Sequence, residues 1–272
     1  MGRDGNDTGM AQPRTRRRPP KTQVKRSTKK REAVGENYWD ITHRPLQCLV
    51  FLLPMVVAYE LGMVLLHGNV PDYQRPALAA KQLLQWFFSL FGATGFYLPG
   101  AALIIVLLAW QLASRHPWKV TGGVFFGMAG ESILLAIPLL VLNQWIPVLQ
   151  GLGNVPGEAT GAGASLDNLL LSVGAGLYEE LVFRLIIITV VTMLLVDVVR
   201  FRQITGVAGA VILSSLLFAA HHYHPIGADP WSSKDFAFRA AAGAYLAAVF
   251  VLRGFGLAVG CHVIYDVMAF LF

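Results

Sequence analysis

The longest apolar run in the sequence, residues 166–199, constrains the fold more than any other feature. As a helix rising about 1.5 Å per residue, its 34 residues would reach about 50 Å, well beyond a hydrocarbon core of roughly 30 Å. Six further apolar runs approach or reach spanning length, and they cover residues 45–66, 96–113, 124–146, 206–222, 236–252 and 256–272. Because lipid offers no partner to unpaired backbone groups, these runs predict an all-α, polytopic bundle of transmembrane helices. The bundle has seven spans, or eight if the longest run forms two helices.

Residues 77–91 predict a helix that lies at the membrane interface rather than across the bilayer. Large apolar residues recur there at helical spacing next to polar ones. The apolar members are Leu83, Leu84, Phe87, Phe88 and Phe91, and the polar ones are Lys81, Gln82 and Gln85.

Basic residues are concentrated at the start of the chain. Residues 1–37 hold 11 of the 22 Lys and Arg but 4 of the 16 acidic residues, so the remainder is close to neutral. Few of these residues are apolar, so the segment 1–38 is predicted to be a disordered tail. Its positive charge predicts that the N-terminus lies on the cytoplasmic side of the membrane. The membrane is expected to be the plasma (inner) membrane. The tail can also contact anionic lipid, and no nucleic-acid partner is expected.

The polar residues divide the rest of the chain into two predicted parts. Residues 39–164 form N-terminal transmembrane helices, and residues 165–272 form a unit in which ionisable groups recur inside apolar runs. Both cysteines, Cys48 and Cys261, lie in apolar runs, which leaves neither a disulfide framework nor a cysteine-based metal site.

Three ionisable residues, Glu179, Glu180 and Arg184, lie inside the longest apolar run. Each charged residue near the centre of a membrane helix costs roughly 2.5–3.5 kcal/mol on insertion scales, so such residues persist where they pair or face a polar cavity. Glu180 and Arg184 are four residues apart and share a helix face, whereas Glu179 points about 100° away from Glu180. Arg184 can therefore neutralise Glu180 and leave Glu179 for another task.

Two later runs contain the remaining polar groups. The fifth span ends in His221 and His222, and the last contains His262 and Asp266, which are helix-face neighbours four residues apart. A single buried polar cavity would accommodate all of these groups at the lowest cost. In an idealised layout, however, His222 lies at one end of its helix and His262 about two turns from the opposite end of its own, so a common depth does not follow from the sequence.

The three motifs resemble those of the CPBP (CAAX protease and bacteriocin-processing) intramembrane proteases, which include type II CAAX prenyl endopeptidase. The motifs are Glu179-Glu180-x-x-x-Arg184, Phe218-x-x-x-His222 and His262-x-x-x-Asp266, and they occur in the family's order. The Phe-x-x-x-His register selects His222 over His221. One position departs from the family pattern, since Leu185 stands where many members have glycine. The last motif ends in Asn or Asp across the family, and Asp266 cannot donate a hydrogen bond to an oxyanion unless it is protonated.

The resemblance implies an intramembrane endopeptidase in which Glu179, assisted by His222, activates water. His262, oriented by Asp266, would stabilise the oxyanion, while Glu180, Arg184 and Phe218 would support the site. The substrate would be a membrane-embedded or lipid-modified polypeptide. The favoured mechanism requires no cofactor; the alternative is a zinc ion held by Glu179, His222, His262 and Asp266.

Two other function classes use similar residues. A proton-coupled transporter also lines its pathway with buried Glu, Arg, His and Asp, and Glu60 and Glu131 could extend such a relay. A membrane adaptor without catalytic activity could retain a polar core. Replacing Glu179 with Ala or Gln distinguishes the three classes. A peptidase loses substrate cleavage, a transporter loses flux, and an adaptor retains partner binding.

Overall fold

The computed structural model describes residues 37–69, 76, 78–149 and 166–271, and these residues form helices and no β-strand. Of the predicted tail, residues 1–38, the first 36 lie outside this description, and Tyr38 is already part of the first helix. In chain order the helices are α1 Tyr38–Thr42, α2 Pro45–His67, α3 Ala79–Ser89, α4 Leu98–Ser114, α5 Gly122–Leu149, α6 Leu166–Val198, α7 Gln203–Ala220, α8 Ser233–Arg253 and α9 Phe255–Leu271.

Five of these helices are long and apolar enough to cross a membrane, namely α2, α5, α6, α7 and α8. The shorter helices α4 and α9 are also apolar. Each predicted span overlaps one of these seven helices, with ends that differ by a few residues, and α3 coincides with the predicted interfacial helix. The chain is therefore an all-α, multi-pass integral membrane protein, as predicted.

The long apolar run forms one continuous helix rather than two. Within α6, residues Glu180–Ile188 and Leu194–Val198 adopt the wider π-helical geometry. Such turns are rare and are frequently found at functional sites. The hydroxyl of Ser214 on α7 donates to the Phe183 carbonyl at 2.6 Å, which supplies one partner from a neighbouring helix.

Helix α9 is the centre of the C-terminal unit. Its first nine residues, Phe255 to Val263, are all buried. Glycines allow the neighbouring helices to approach it closely: a Cβ on Gly260 would lie 2.3 Å from Ser132 Oγ on α5, and one on Gly176 of α6 would lie 2.4 Å from a Val263 methyl group. Close approach through small residues is the usual way in which helices pack in lipid. It places His262 directly beside α6.

The first helix is attached to the bundle by an ion pair that lies apart from the polar groups of α6. Arg253 donates to both carboxylate oxygens of Glu131 at 2.6 and 2.9 Å, and Tyr38 donates to Oε2 of the same carboxylate at 2.7 Å. The Arg253 guanidinium also lies 3.6 Å from the centre of the Trp39 ring. Burial, together with the neighbouring carboxylate, raises the pKa of Tyr38 to about 12. Glu131 is therefore neutralised at the end of the bundle where α1 lies.

A second ion pair attaches α3. Lys81 is buried and donates to the two oxygens of Glu60 at 3.1 and 3.3 Å, and Tyr178 donates to the same carboxylate. The ammonium group lies 3.4 Å from the centre of the Phe96 ring and 4.6 Å from that of Tyr59. This cluster joins α2, α3 and α6, and it gives Glu60 the packing role that is common for a paired acid in a membrane helix.

Candidate active site

Glu179 lies in the middle of α6, immediately before the first π-helical segment, and three imidazole rings surround its carboxylate. Its Oε1 is 3.4 Å from His221 Nε2 and 4.0 Å from His222 Nε2, and its Oε2 is 3.8 Å from His262 Nε2. Glu179 is buried, with only 7% of the residue exposed. One oxygen thus faces the pair of histidines that follows α7, and the other faces α9.

The two adjacent histidines point the same nitrogen at Glu179. Nδ1 of His221 and Nδ1 of His222 lie 2.5 and 2.9 Å from the carbonyl oxygen of Phe218. A carbonyl oxygen can only accept, so each Nδ1 carries a hydrogen and each Nε2 is presented to the carboxylate. His221 is buried and its Nε2 has no hydrogen-bond partner, whereas the His222 side chain is 23% exposed.

His262 lies among three carboxylates. Its Nδ1 is 2.8 Å from Glu180 Oε1, and its Nε2 is 3.5 Å from Asp266 Oδ2 and 3.8 Å from Glu179 Oε2. Both ring nitrogens therefore face oxygens that only accept when ionised, so the ring is placed to carry a hydrogen on each nitrogen. The predicted neighbours on α9, His262 and Asp266, are in contact, and Glu180 is an additional partner of the ring.

The predicted pair between Glu180 and Arg184 forms, and it is completely buried. Arg184 Nη1 lies 3.0 Å from Glu180 Oε1, and both side chains have 0% exposure. Arg184 Nη2 donates to the Gly243 carbonyl of α8 at 3.2 Å, and its guanidinium lies 4.2 Å from the centre of the Phe218 ring. Arg184 therefore links α6, α7 and α8 behind the site.

A cavity of about 360 Å³ opens in front of Glu179. Its polar wall contains Glu179, His222, His262 and Asp266, together with Tyr265, Ser172 and Arg239. The rest of the wall is apolar and includes Leu78, Leu139, Leu171, Phe238, Leu246 and Phe270. Arg239 is also paired with Asp229 at 2.6 Å. Reactive groups on one side of an apolar cavity are typical of a site that orients a largely apolar ligand.

All four residues predicted to be catalytic line this single cavity, and the three supporting residues lie against it or directly behind it. The sequence left open whether the end of α7 and His262 lie at the same depth in the membrane. They do, because the rings of Phe218 on α7 and His262 on α9 are 5.8 Å apart. His221 is the residue that sequence reasoning set aside. Its adjacency to His222 was the available signal in the sequence, but only the tertiary structure brings it nearer to Glu179 than His222 is.

A compact group of possible metal ligands consists of Glu179, His221 and His222, one atom from each lying within 4.8 Å of the others. The donor types suit zinc, and the buried Nε2 of His221 without a hydrogen-bond partner is compatible with a ligand. The group differs from the set expected from the sequence, which combined Glu179 and His222 with His262 and Asp266. In the structure Glu180 is hydrogen-bonded to Nδ1 of His262, and Asp266 is the carboxylate nearest to its Nε2.

The two other acids considered for a proton relay do not line the cavity. Glu60 is held by Lys81 and Tyr178, and Glu131 by Arg253 and Tyr38. The described residues thus place both acids in separate paired clusters, which counts against a continuous relay from Glu60 or Glu131 to Glu179.

These features define a multi-pass membrane protein with a carboxylate–imidazole site buried among its C-terminal helices. Residues 162–268 match the family model described as type II CAAX prenyl endopeptidase Rce1-like. All three motifs lie within the matched residues, so the match confirms the resemblance that the motifs indicated. No curated protein and no solved structure matches the chain significantly.

Proposed function

We propose that the protein is an intramembrane endopeptidase of the CAAX-protease type, which hydrolyses a peptide bond of a membrane-embedded or lipid-modified polypeptide. The observation that carries the proposal is the contact of Glu179 with three imidazole rings at the wall of an apolar cavity. The family match of residues 162–268 supports the same class of reaction.

In the proposed reaction, Glu179 accepts a proton from a water molecule as the water oxygen attacks the carbonyl carbon of the scissile bond. The resulting tetrahedral intermediate bears a negative oxygen. When the C–N bond breaks, the proton returns to the departing amine, so that an acid and an amine leave. His222, which faces the cavity, assists this transfer.

His262 is the proposed donor to the oxyanion. His262 lines the cavity, its Nε2 faces Asp266 and Glu179, and Glu180 holds the opposite nitrogen at 2.8 Å. A fixed donor aimed at the developing charge stabilises the transition state more than the substrate. Asp266, which can only accept when ionised, acts on the orientation and charge of His262 rather than as a donor to the oxyanion.

The apolar wall of the cavity supports a substrate that is itself apolar. Leu139, Leu171, Phe238 and Phe270 would contact a lipid chain or hydrophobic side chains next to the scissile bond. Comparative proteomics of cells that carry native protein or Glu179→Ala tests the function and finds the substrate. Membrane-protein fragments that occur only with native protein support the proposal, whereas identical fragment sets contradict it.

We propose that cleavage does not require a metal. The alternative is zinc held by Glu179, His221 and His222, which would supply an activated water to the same peptide carbonyl. We expect purified protein to contain substoichiometric zinc and to keep its rate of peptide cleavage after treatment with 1,10-phenanthroline. Stoichiometric zinc, with activity lost on its removal and regained on its return, would establish the alternative.

His221 is proposed to position Glu179 rather than to contact the substrate, since it lies behind the carboxylate and is buried. We expect His221→Leu to lower kcat about 10- to 100-fold with little change in KM, because a small displacement of a catalytic group can cost about that much. His221→Gln should recover most of the rate, because its amide N–H can reach Glu179.

Steady-state kinetics and thermal unfolding of both variants check this expectation. A merely structural histidine would give two variants with equal losses and matching falls in stability. A native rate in a folded His221→Leu protein would also contradict the positioning role.

A further inference from the structure

One end of the bundle is basic. Hydrogen bonds join the start of α2 to Gln111 on α4 and to Thr121 in the loop before α5, so these segments lie at the end of the bundle where α1 lies, which we call the basic end. Among the described residues, the lysines and arginines at or near this end are Arg44, Arg115, Lys119, Arg200, Arg202 and Arg253. The first span begins at Pro45, and residues 1–37 before it add 11 more. Lys and Arg close to the ends of spans favour the cytoplasmic side.

The cavity extends toward the opposite end. That end is marked by the contact of His67, the last residue of α2, with Asp167 in the first turn of α6 at 3.0 Å. The cavity wall includes Leu171 near the start of α6, Phe238 near the start of α8 and Phe270 near the end of α9. Each of these positions lies between Glu179 or His262 and the end marked by His67, which we call the cavity end.

The cavity end has fewer basic residues and more acidic ones. Of the described residues there, three are basic (Lys81, Lys234 and Arg239) and four acids lie outside the catalytic group (Glu60, Asp167, Asp229 and Asp235), whereas the six basic residues of the basic end are accompanied by three acids, Asp40, Glu131 and Asp197. The charge asymmetry and the direction of the cavity come from different parts of the chain, so they are independent observations.

We infer that the catalytic cavity opens toward the non-cytoplasmic side of the membrane. The basic end, with its many arginines and lysines, remains in the cytoplasm, and Glu179 is reached from the far side between α6, α8 and α9. This orientation, together with the proposed function on which it rests, implies the substrate class. The substrate is an exported or membrane-anchored polypeptide whose scissile bond enters the bilayer from the non-cytoplasmic face, rather than a segment presented from the cytoplasm.

Single-cysteine labelling of the full chain tests the orientation. The native Cys48 and Cys261 are buried, so exposed positions can be compared directly: Trp118→Cys in the loop before α5, and Ile226→Cys in the loop after α7. In sealed right-side-out vesicles, a membrane-impermeant maleimide should label Ile226→Cys and spare Trp118→Cys. Inside-out vesicles should give the reverse, and the opposite pattern in both preparations would overturn the inference.

Cleavage measured in the same vesicles tests the substrate side. The probe is a mixture of quenched fluorescent peptides that carry a palmitoyl or farnesyl chain, added outside the vesicles, with Glu179→Ala vesicles as the blank. Cleavage in right-side-out vesicles supports the inference, and cleavage confined to inside-out vesicles overturns it. If labelling follows the expected pattern but neither preparation cleaves any peptide, the orientation stands and the proposed peptidase function fails.

Discussion

Replacing Glu179 with glutamine should lower peptide cleavage by about 100- to 10,000-fold, the usual contribution of a general acid–base group. The amide has nearly the shape of the carboxylate but cannot accept the proton of the attacking water. Because Glu179 lies within 4.0 Å of three imidazoles, we expect the loss in kcat rather than in KM. Single-turnover cleavage of a lipidated peptide by purified protein measures it.

Asp197→Asn is the matched control, because Asp197 is an exposed acid next to the C-terminal end of the same helix. It should leave the cleavage rate and the thermal midpoint close to those of the native protein. A folded Glu179→Gln protein with the native rate would remove Glu179 from the mechanism.

Replacing Arg184 with methionine should destabilise the protein by about 3–5 kcal/mol, because it leaves the Glu180 carboxylate buried without its ion-pair partner. Both side chains have 0% exposure, so water cannot take the place of the guanidinium. The change also removes the donor to the Gly243 carbonyl and the contact with the Phe218 ring. Reversible unfolding in mixed micelles, with the native protein as reference, measures the loss.

The double variant Glu180→Gln/Arg184→Met separates the charge from the packing. With the carboxylate neutral, we expect the double variant to be more stable than Arg184→Met alone. Cleavage should stay impaired, since Glu180 also holds His262 at 2.8 Å. An Arg184→Met protein of native stability would show that the ion pair contributes nothing.

Much of the fold could be predicted because hydrocarbon imposes simple requirements. A run of apolar residues that must satisfy its own backbone can only become a helix, so the seven apolar helices follow from the sequence, and the spacing of apolar residues in 77–91 predicted helix α3. The pairing of Glu180 with Arg184 and of His262 with Asp266 also follows, because residues four apart share a helix face. The π-helical segments of α6 were not predicted, and neither was the hydrogen bond from Ser214 on α7 to the Phe183 carbonyl, because a contact between helices depends on how they pack.

The role of the second histidine and the partners of two other acids required the tertiary structure. Counting from Phe218 selected His222, yet His221 lies nearer to Glu179 because the chain turns at the end of α7. In the transporter alternative, Glu60 and Glu131 could extend a proton relay, but the structure gives each acid a separate basic partner. Their partners, Lys81 and Arg253, are 21 and 122 residues away along the chain. No local sequence pattern predicts a contact between residues as far apart as Glu131 and Arg253.

The sequence alone determined the membrane class, the helical architecture and the set of ionisable residues that had to be reconciled with lipid, because burial of charge and of backbone groups is costly wherever the helices lie. The tertiary structure decided which of those residues meet. It brought Glu179 to three imidazoles, gave His262 a second carboxylate partner in Glu180, and directed the cavity toward the end opposite α1. These contacts depend on how the helices tilt and pack through residues such as Gly176 and Gly260. The sequence of a single helix does not specify that packing.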